Sequence, residues 1–212
     1  MPNAGLPPST AIHDLFGDID IYLFDQLARG RLDHRRRVLD AGCGAGRNLR
    51  YLLAHDYDCH GIDRDSNAIA QLRLEARSLG RGDADGRFIV GDVESLPWSD
   101  HAFDAVISSA VLHFAENYRG FEQMVAEMWR VLAPGGLLFA RLASTIGLEG
   151  FGALAGQRVR LPDGSDRFVV DEAMLLESTA QLGGRLADPL KTTNVQNLRA
   201  MTTWCVLKGN AP

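Results

Sequence analysis

The sequence predicts an α/β fold built on a doubly wound, mostly parallel sheet. Three observations carry that reading. Short apolar runs alternate with helical periodicity from Val38 to Arg141, a glycine-rich turn follows the first run, and an Asp stands at the end of three of them. The chain has 212 residues, 46% hydrophobic and 23% charged, which suits one globular domain with a substantial core. A net charge of −5 argues against a nucleic-acid partner held through phosphate contacts, and the basic cluster His34-Arg35-Arg36-Arg37 reads as a solvated connection into the first strand. Cys43, Cys59 and Cys205 are odd in number and widely spaced, with neither a disulfide framework nor metal-ligand spacing. That is the usage of a reduced, cytoplasmic protein without a bound metal. The first ten residues lack a basic stretch followed by an apolar one, and no apolar run approaches the ~18 residues of a membrane span, so neither secretion nor a membrane partner is expected.

Between Ile12 and Leu32 the apolar residues follow a helical period that breaks near Gly17-Asp18. This predicts two short helices, the second from about Ile19 to Arg29 and stopped by Gly30. They either cover an edge of the sheet or fold over its ligand end, with Phe16 and Tyr22 as the lid residues in the second case. Strands are expected at Val38 to Ala41, Tyr57 to Ile62, Arg87 to Val90, Phe103 to Ser108 and Gly136 to Arg141. Helices fall between them at about Asn48 to His55, Ser66 to Ser78 and Tyr118 to Leu132. In the last, Phe121, Met124, Val125, Met128 and Leu132 share a face and read as core. Beyond Arg141, Val159 to Leu161 and Phe168 to Val170 flank Pro162-Asp163-Gly164-Ser165 as a β-hairpin. Asp171 then caps a helix to about Gln181, and two strands follow near Leu186 to Val195, which Pro189 makes either interrupted or an edge strand, and Ala200 to Lys208.

Ligands of such sheets bind beyond the carboxyl ends of the strands. Those ends are Asp40-Ala41-Gly42, Asp63-Arg64, Gly91-Asp92-Val93 and Ser108-Ser109. The turn Gly42-Cys43-Gly44-Ala45-Gly46-Arg47-Asn48 is expected to present helix N-terminal amides to a polar ligand, its glycines permitting positive φ and close approach. Cys43 reads as a small side chain between glycines, with an activated thiol as the alternative. Asp63, 21 positions after Gly42, suits a carboxylate that accepts from ribose hydroxyls. Dinucleotides use the same device, although their fingerprint is G-x-G-x-x-G and the spacing here is G-x-G-x-G.

The segment Val38-Leu39-Asp40-Ala41-Gly42-Cys43-Gly44-Ala45-Gly46 resembles the first motif of class I S-adenosylmethionine-dependent methyltransferases. Gly61-Ile62-Asp63, Gly91-Asp92-Val93 with Leu96-Pro97-Trp98, Phe103-Asp104-Ala105-Val106 and Leu132-Ala133-Pro134-Gly135-Gly136 match further motifs in order. The continuation Gly46-Arg47-Asn48 is similar to the tellurite-resistance methyltransferase branch. The resemblance implies a Rossmann-like sheet of seven strands in the order 3-2-1-4-5-7-6, strand 7 antiparallel. It also implies S-adenosyl-L-methionine as cofactor. By that analogy the backbone from Gly42 through Cys43 and Gly44 to Gly46 lies against the cofactor, Asp63 bonds the ribose, and Asp92 with Val93 brackets the adenine. Ser108 lies near the methionine portion, Asp40 orients the amino group or its waters, and Arg47 at the turn is available to the carboxylate. Asn48, Arg64 and Gly91 complete the expected set.

The resulting expectation is one methyltransferase domain: a helical cap over 1–32, a cofactor-binding core over 38–141, an insertion with a hairpin over 144–170, and a C-terminal helix and strands over 171–208. The segment after the fourth strand, Ser108-Ser109-Ala110-Val111, lacks the Asp/Asn-Pro-Pro-aromatic run of amino-methylating nucleic-acid enzymes, and with the acidic balance this points to a small-molecule acceptor. Transfer from a sulfonium needs mainly proximity. Where the acceptor must lose a proton, His113 is the candidate base, by position and by an expected pKa near neutrality, with a histidine that completes a loop or packs on Phe114 as the alternative. The cap and the insertion are expected to wall the acceptor pocket, and Arg158 and Arg160 read either as solvated hairpin residues or as groups that attract an anion. An NAD-dependent oxidoreductase and a catalytically silent cofactor-binding module are the alternatives, and monomer and homodimer both remain open.

Overall fold

The computed structural model describes residues 9–148, 150 and 154–210; parts of the expected cap, of the 144–170 insertion and of the C-terminus lie outside the described residues. The N-terminal region forms helices α1 (Ser9–Phe16) and α2 (Ile21–Ala28), with Asp20 capping α2 by accepting from Tyr22 N. Strand β1 (Arg37–Ala41) leads to α3 (Arg50–Ala54), and β2 (Asp58–Asp63) leads to α4 (Ser66–Ser78). A short α5 (Ala84–Arg87) precedes β3 (Phe88–Val90); β4 (Phe103–Ser109) is followed by a 3₁₀ turn (Leu112–Phe114) and α6 (Tyr118–Val131). Next come β5 (Leu132–Ser144), the hairpin β6 (Gln157–Arg160) and β7 (Asp166–Val169), α7 (Glu172–Gln181), and strands β8 (Gly184–Leu186), β9 (Lys191–Val195) and β10 (Arg199–Lys208).

The main sheet runs β3-β2-β1-β4-β5-β10-β8, with β9 also on β10. The first five strands in that order are parallel, and β10 is antiparallel to β5, β8 and β9. This is the expected order with its strand 6 divided into β8 and β9. β8 pairs with Val206 to Lys208 and β9 with Arg199 to Thr203, and the break between them contains Pro189, which has no N–H to give to the ladder. Apolar residues cover both faces. Leu39, Val106 and Leu138 pack with Phe121, Val125 and Met128 of α6, while Val38, Cys59, Ile107 and Phe139 pack with Leu52, Leu53, Ile69 and Leu72 of α3 and α4. The Met and aromatic face of α6 is therefore core, as its spacing requires.

Three differences from the sequence reading have local causes. The helix expected from Asn48 to His55 is only the five residues of α3, because Gly46 to Leu49 form a turn, Leu49 N donating to Gly46 O. Strand β5 begins at Leu132 and not at Gly136. The Ala133 to Gly136 segment is absorbed as an irregularity, since Phe103 pairs with Leu132 but Ala105 already pairs with Leu137. Helix α5 and the 3₁₀ turn are too short to show a period.

Candidate active site

At the carboxyl ends of β1, β2 and β3 lies a cavity of about 200 Å³, lined by Gly42, Asp63, Arg64, Gly91, Val93 and Glu94, and closed by Ala110, Val111, Phe114 and Met124. The glycine turn bordering it has an unexpected economy of donors. Gly42 N and Cys43 N donate to Ile62 O, Gly46 N donates to Cys43 O, and Gly44 N donates to Asp63 Oδ2 at 2.8 Å. Four of its amides are thus satisfied within the protein, so this is not the open ring of donors that holds a pyrophosphate. The glycines serve packing as much as approach. A Cβ on Gly42 would stand 2.3 Å from Val111 Cγ2 and one on Gly46 2.4 Å from Leu72 Cδ1, whereas one on Gly44 would meet nothing within 4 Å.

Asp63 accepts a second bond from Asp65 N at 2.9 Å. The cap of α4 is Asp65, which accepts from Asn67 N and Ala68 N, so capping does not account for Asp63. A carboxylate has roughly four acceptor positions, which leaves Asp63 able to take two more donors from the cavity. Asp92 does not line the cavity. It is paired with Arg64, Nε to Oδ2 at 3.0 Å, and accepts from Glu94 N, partners that hold its carboxyl below the usual range despite partial burial. Val93 and Glu94 take the lining positions.

Behind the turn, Asp40 is fully buried and neither carboxyl oxygen has a hydrogen-bond partner among the described residues. Burial pushes its pKa up to about 7. Arg47 and Asn48 oppose that shift without reaching hydrogen-bond geometry to it, and the negative charge of Asp63 reinforces it. In the unfolded chain the group ionises near 3.8, so between about pH 4 and 7 the folded protein holds the extra proton. Its contribution to stability falls as pH rises through that window, and the full cost is present above pH 7. Asp40→Asn is accordingly expected to gain stability relative to wild type as pH is raised from 4 to 8, in the absence of ligand. Thermal unfolding of both proteins at the two pH values measures this; a wild-type-minus-variant difference independent of pH contradicts the assignment.

Ser108 is also fully buried, its hydroxyl unpartnered. Cys43 packs against Gly61, and burial drives its thiol pKa far up, which removes the activated-thiol alternative. Arg47 donates to Ser109 Oγ at 3.0 Å and to Asp18 O at 3.3 Å, and Asn48 Oδ1 accepts from Asp20 N. Asp20 has no role in a second helix expected to start at about Ile19. In the fold its buried carboxylate accepts from Ser109 Oγ at 2.9 Å and lies 3.4 Å from Arg141 Nη1, so it ties the N-terminal segment onto the ends of β4 and β5. Phe16 and Tyr22 line neither this cavity nor the one beside it. Phe16 stacks on Tyr51, and the Tyr22 hydroxyl bonds Thr193 while Arg141 lies over its ring.

A second cavity, about 310 Å³, shares Ala110 and Phe114 with the first and is otherwise lined by residues of β5, β9, β10, the 3₁₀ turn and the hairpin region. Ala110 in this common wall has φ +64°, a strained left-handed conformation for a non-glycine residue. His113 lines the second cavity and not the first. It is 4% exposed, and burial, followed by the charges of Arg167, Arg141 and Arg158, depresses its pKa to about 3, far from the near-neutral value expected. Arg158 donates to the carbonyls of Phe114 and Ala115, and Arg160 pairs with Asp166, so neither lines the cavity. Arg141, Arg167 and Arg199 do. Among the described residues no His, Cys, Asp and Glu cluster could hold a metal, and no helix is long and apolar enough to cross a membrane.

A family model described as a methyltransferase domain matches residues 39–140. Over 147 residues the chain is 31% identical to a malonyl-[acyl-carrier protein] O-methyltransferase of Halorhodospira halophila, covering 67% of this chain and 48% of that protein. Over 137 residues it is 31% identical to a fatty-acid O-methyltransferase of Mycolicibacterium smegmatis, covering 64% and 46%. The chain thus spans about half the length of these relatives. Among solved structures, a SAM-dependent methyltransferase from Methanosarcina mazei superposes with a TM-score of 0.65 at 22% identity, over 97% of this chain and 99% of that one. Magnesium protoporphyrin IX methyltransferase from Synechocystis, solved with bound SAH, gives 0.66 at 16%, over 98% and 90%. A [4+2]-cyclase gives 0.64 at 21%, over 88% and 81%. At these identities the structural likeness speaks for the fold.

Proposed function

We propose that this chain, which carries a class I S-adenosylmethionine-dependent methyltransferase domain, transfers a methyl group from that cofactor to a small-molecule acceptor. The observation that carries the reading is the first cavity: acceptor groups at Asp63 and Glu94 beside an apolar wall of Val93, Val111 and Met124, with no open ring of turn amides. That combination suits a nucleoside with a cationic sulfur better than a dinucleotide's pyrophosphate. Asp63 would take the ribose hydroxyls, Val93 would face the adenine, and Gly44, with open space at its Cβ position, would allow close backbone approach. Asp40 and Ser108, buried and unpartnered, would receive donors or waters at the methionine end. When bound, the cofactor would supply a methyl carbon activated by positive sulfur for in-line transfer to an acceptor lone pair, with S-adenosylhomocysteine as the leaving group.

The chain's own task is then to position the acceptor and exclude water, and holding reactants in attack geometry is worth about 7–11 kcal/mol. The acceptor reaches the donor across the wall at Ala110 and Phe114. His113, neutral above about pH 3, is too weak a base to draw a proton efficiently from a hydroxyl. His113→Gln is therefore expected to change kcat by less than about tenfold, where loss of a working general base costs about 100-fold or more. A larger fall in kcat, with an inflection abolished from the pH profile, would restore histidine to the reaction.

An acceptor screen with methyl-labelled cofactor tests the reading, beginning with carboxylic acids, since the relatives are named for O-methylation of malonyl-[acyl-carrier protein] and fatty acid. Label transfer to a small molecule supports it. A cyclase shares the fold, so tight cofactor binding without transfer to any acceptor would favour a cofactor-binding module with another task.

A further inference from the structure

The second cavity carries a charge excess that the packing of the fold leaves unused. Three arginines line it, Arg141 from β5, Arg167 from β7 and Arg199 from β10, against one carboxylate, Asp163. Arg199 lies 3.7 Å from Asp163, and Arg141 is offset from outside the cavity by Asp20. Arg167 forms no ion pair among the described residues. Its guanidinium sits 4.9 Å from the centre of the Phe114 ring and donates to the Asp166 carbonyl, so it is held in place without being neutralised. Arg141 Nε is out of contact with water and has no hydrogen-bond partner. His113, also in the wall, is kept neutral and adds no charge. Arg199 is set against Asp163, and Arg141 shares Asp20 with Arg47, so among the arginines lining the cavity Arg167 is the one without a carboxylate partner among the described residues, and it sits over Phe114, a residue common to both cavities.

We propose that this cavity is the acceptor subsite and that it takes a small molecule bearing a carboxylate, held by Arg167 and Arg199. The inference rests on the reading of the neighbouring cavity as the cofactor site. A guanidinium fork matches a carboxylate in geometry, and one uncompensated charge matches a monoanion better than a phosphate dianion. Held there, the body of the molecule extends toward Ala110 and Phe114, the wall common to both cavities.

The test uses the full chain saturated with S-adenosylhomocysteine and titrated with benzoate and octanoate, each against its neutral amide, by calorimetry or ligand-observed NMR. The acids are expected to bind about tenfold or more tightly than the amides, as charge-assisted bonds require. Arg167→Gln with Arg199→Gln removes that preference while leaving S-adenosylhomocysteine affinity within about twofold, and Arg160→Gln, which removes one charge from the same hairpin as Arg167 but outside the cavity, keeps the preference. Equal binding of acids and amides, no acid binding even at millimolar affinity, or a preference that survives the double substitution overturns the proposal. Failure of wild type to bind S-adenosylhomocysteine removes the cofactor reading and the subsite with it. Normal S-adenosylhomocysteine binding without acid preference removes the subsite alone.

Discussion

Replacing Asp63 by alanine is expected to weaken S-adenosylhomocysteine binding by about 10- to 150-fold, the roughly 1.5–3 kcal/mol carried by hydrogen bonds to a charged group. The carboxylate is half-buried, lines the first cavity and retains acceptor capacity after its two bonds to Gly44 N and Asp65 N. Those two bonds also make it a structural residue, so the substitution frees the Gly44 amide and loosens the turn. The two effects separate in measurement: an unfolding midpoint without ligand reports the turn, and a titration at a temperature where the variant is folded reports the ligand. Asp63→Asn keeps one acceptor oxygen and should recover part of the stability but little of the affinity, because the amide's other end is a donor facing donors. An alanine variant that is less stable yet binds with unchanged affinity would leave Asp63 as a brace for the turn and nothing more.

Gly42→Ala is expected to destabilise the protein by about 2–5 kcal/mol, a left-handed backbone penalty of roughly 1–2 kcal/mol added to overpacking of roughly 1–3 kcal/mol. Gly42 has φ +84°, and the new Cβ would stand 2.3 and 2.8 Å from the two methyl groups of Val111, a residue that lines the first cavity. Gly44→Ala is the control on the same turn. Its φ is +51° with open space at the Cβ position, so only the backbone penalty, about 1–2 kcal/mol, applies. Denaturant unfolding of the two variants without ligand checks the order. Equal losses would mean that the turn, not contact with Val111, sets the requirement for glycine at position 42.

The parallel core was legible because buried strands and amphipathic helices leave strong periodic signals. Helix α4 spans the residues its pattern marks, since Asp65 caps it and Ile69, Leu72 and Ala76 share its buried face. The missing N–H of Pro189 allows either an interruption or an edge position, and the split between β8 and β9 is the first of these. What stayed hidden depends on which face of a regular element meets the rest of the molecule. On the hairpin, Arg158 and Arg160 share one face by alternation, whereas Arg167 stands across from Val159 on the other. Both faces carry arginine, so the sequence cannot say which one the cavity takes; packing on β5 and β10 decides, and it takes Arg167. Asp20 escaped for a related reason. The helix start expected at Ile19 hides its capping bond to Tyr22 N, and its contact with Ser109, 89 positions away, leaves no local trace. The pKa of His113 was misjudged because three arginines distant in sequence, and burial that no pattern announces, act on it together.

The most direct measurement is a calorimetric titration of the protein with S-adenosylhomocysteine and, separately, with NAD. Saturable one-to-one binding of S-adenosylhomocysteine that is weakened about 10- to 150-fold in Asp63→Ala and unaffected by excess NAD is the predicted result. Binding of NAD in its place, or no binding of S-adenosylhomocysteine, would contradict it.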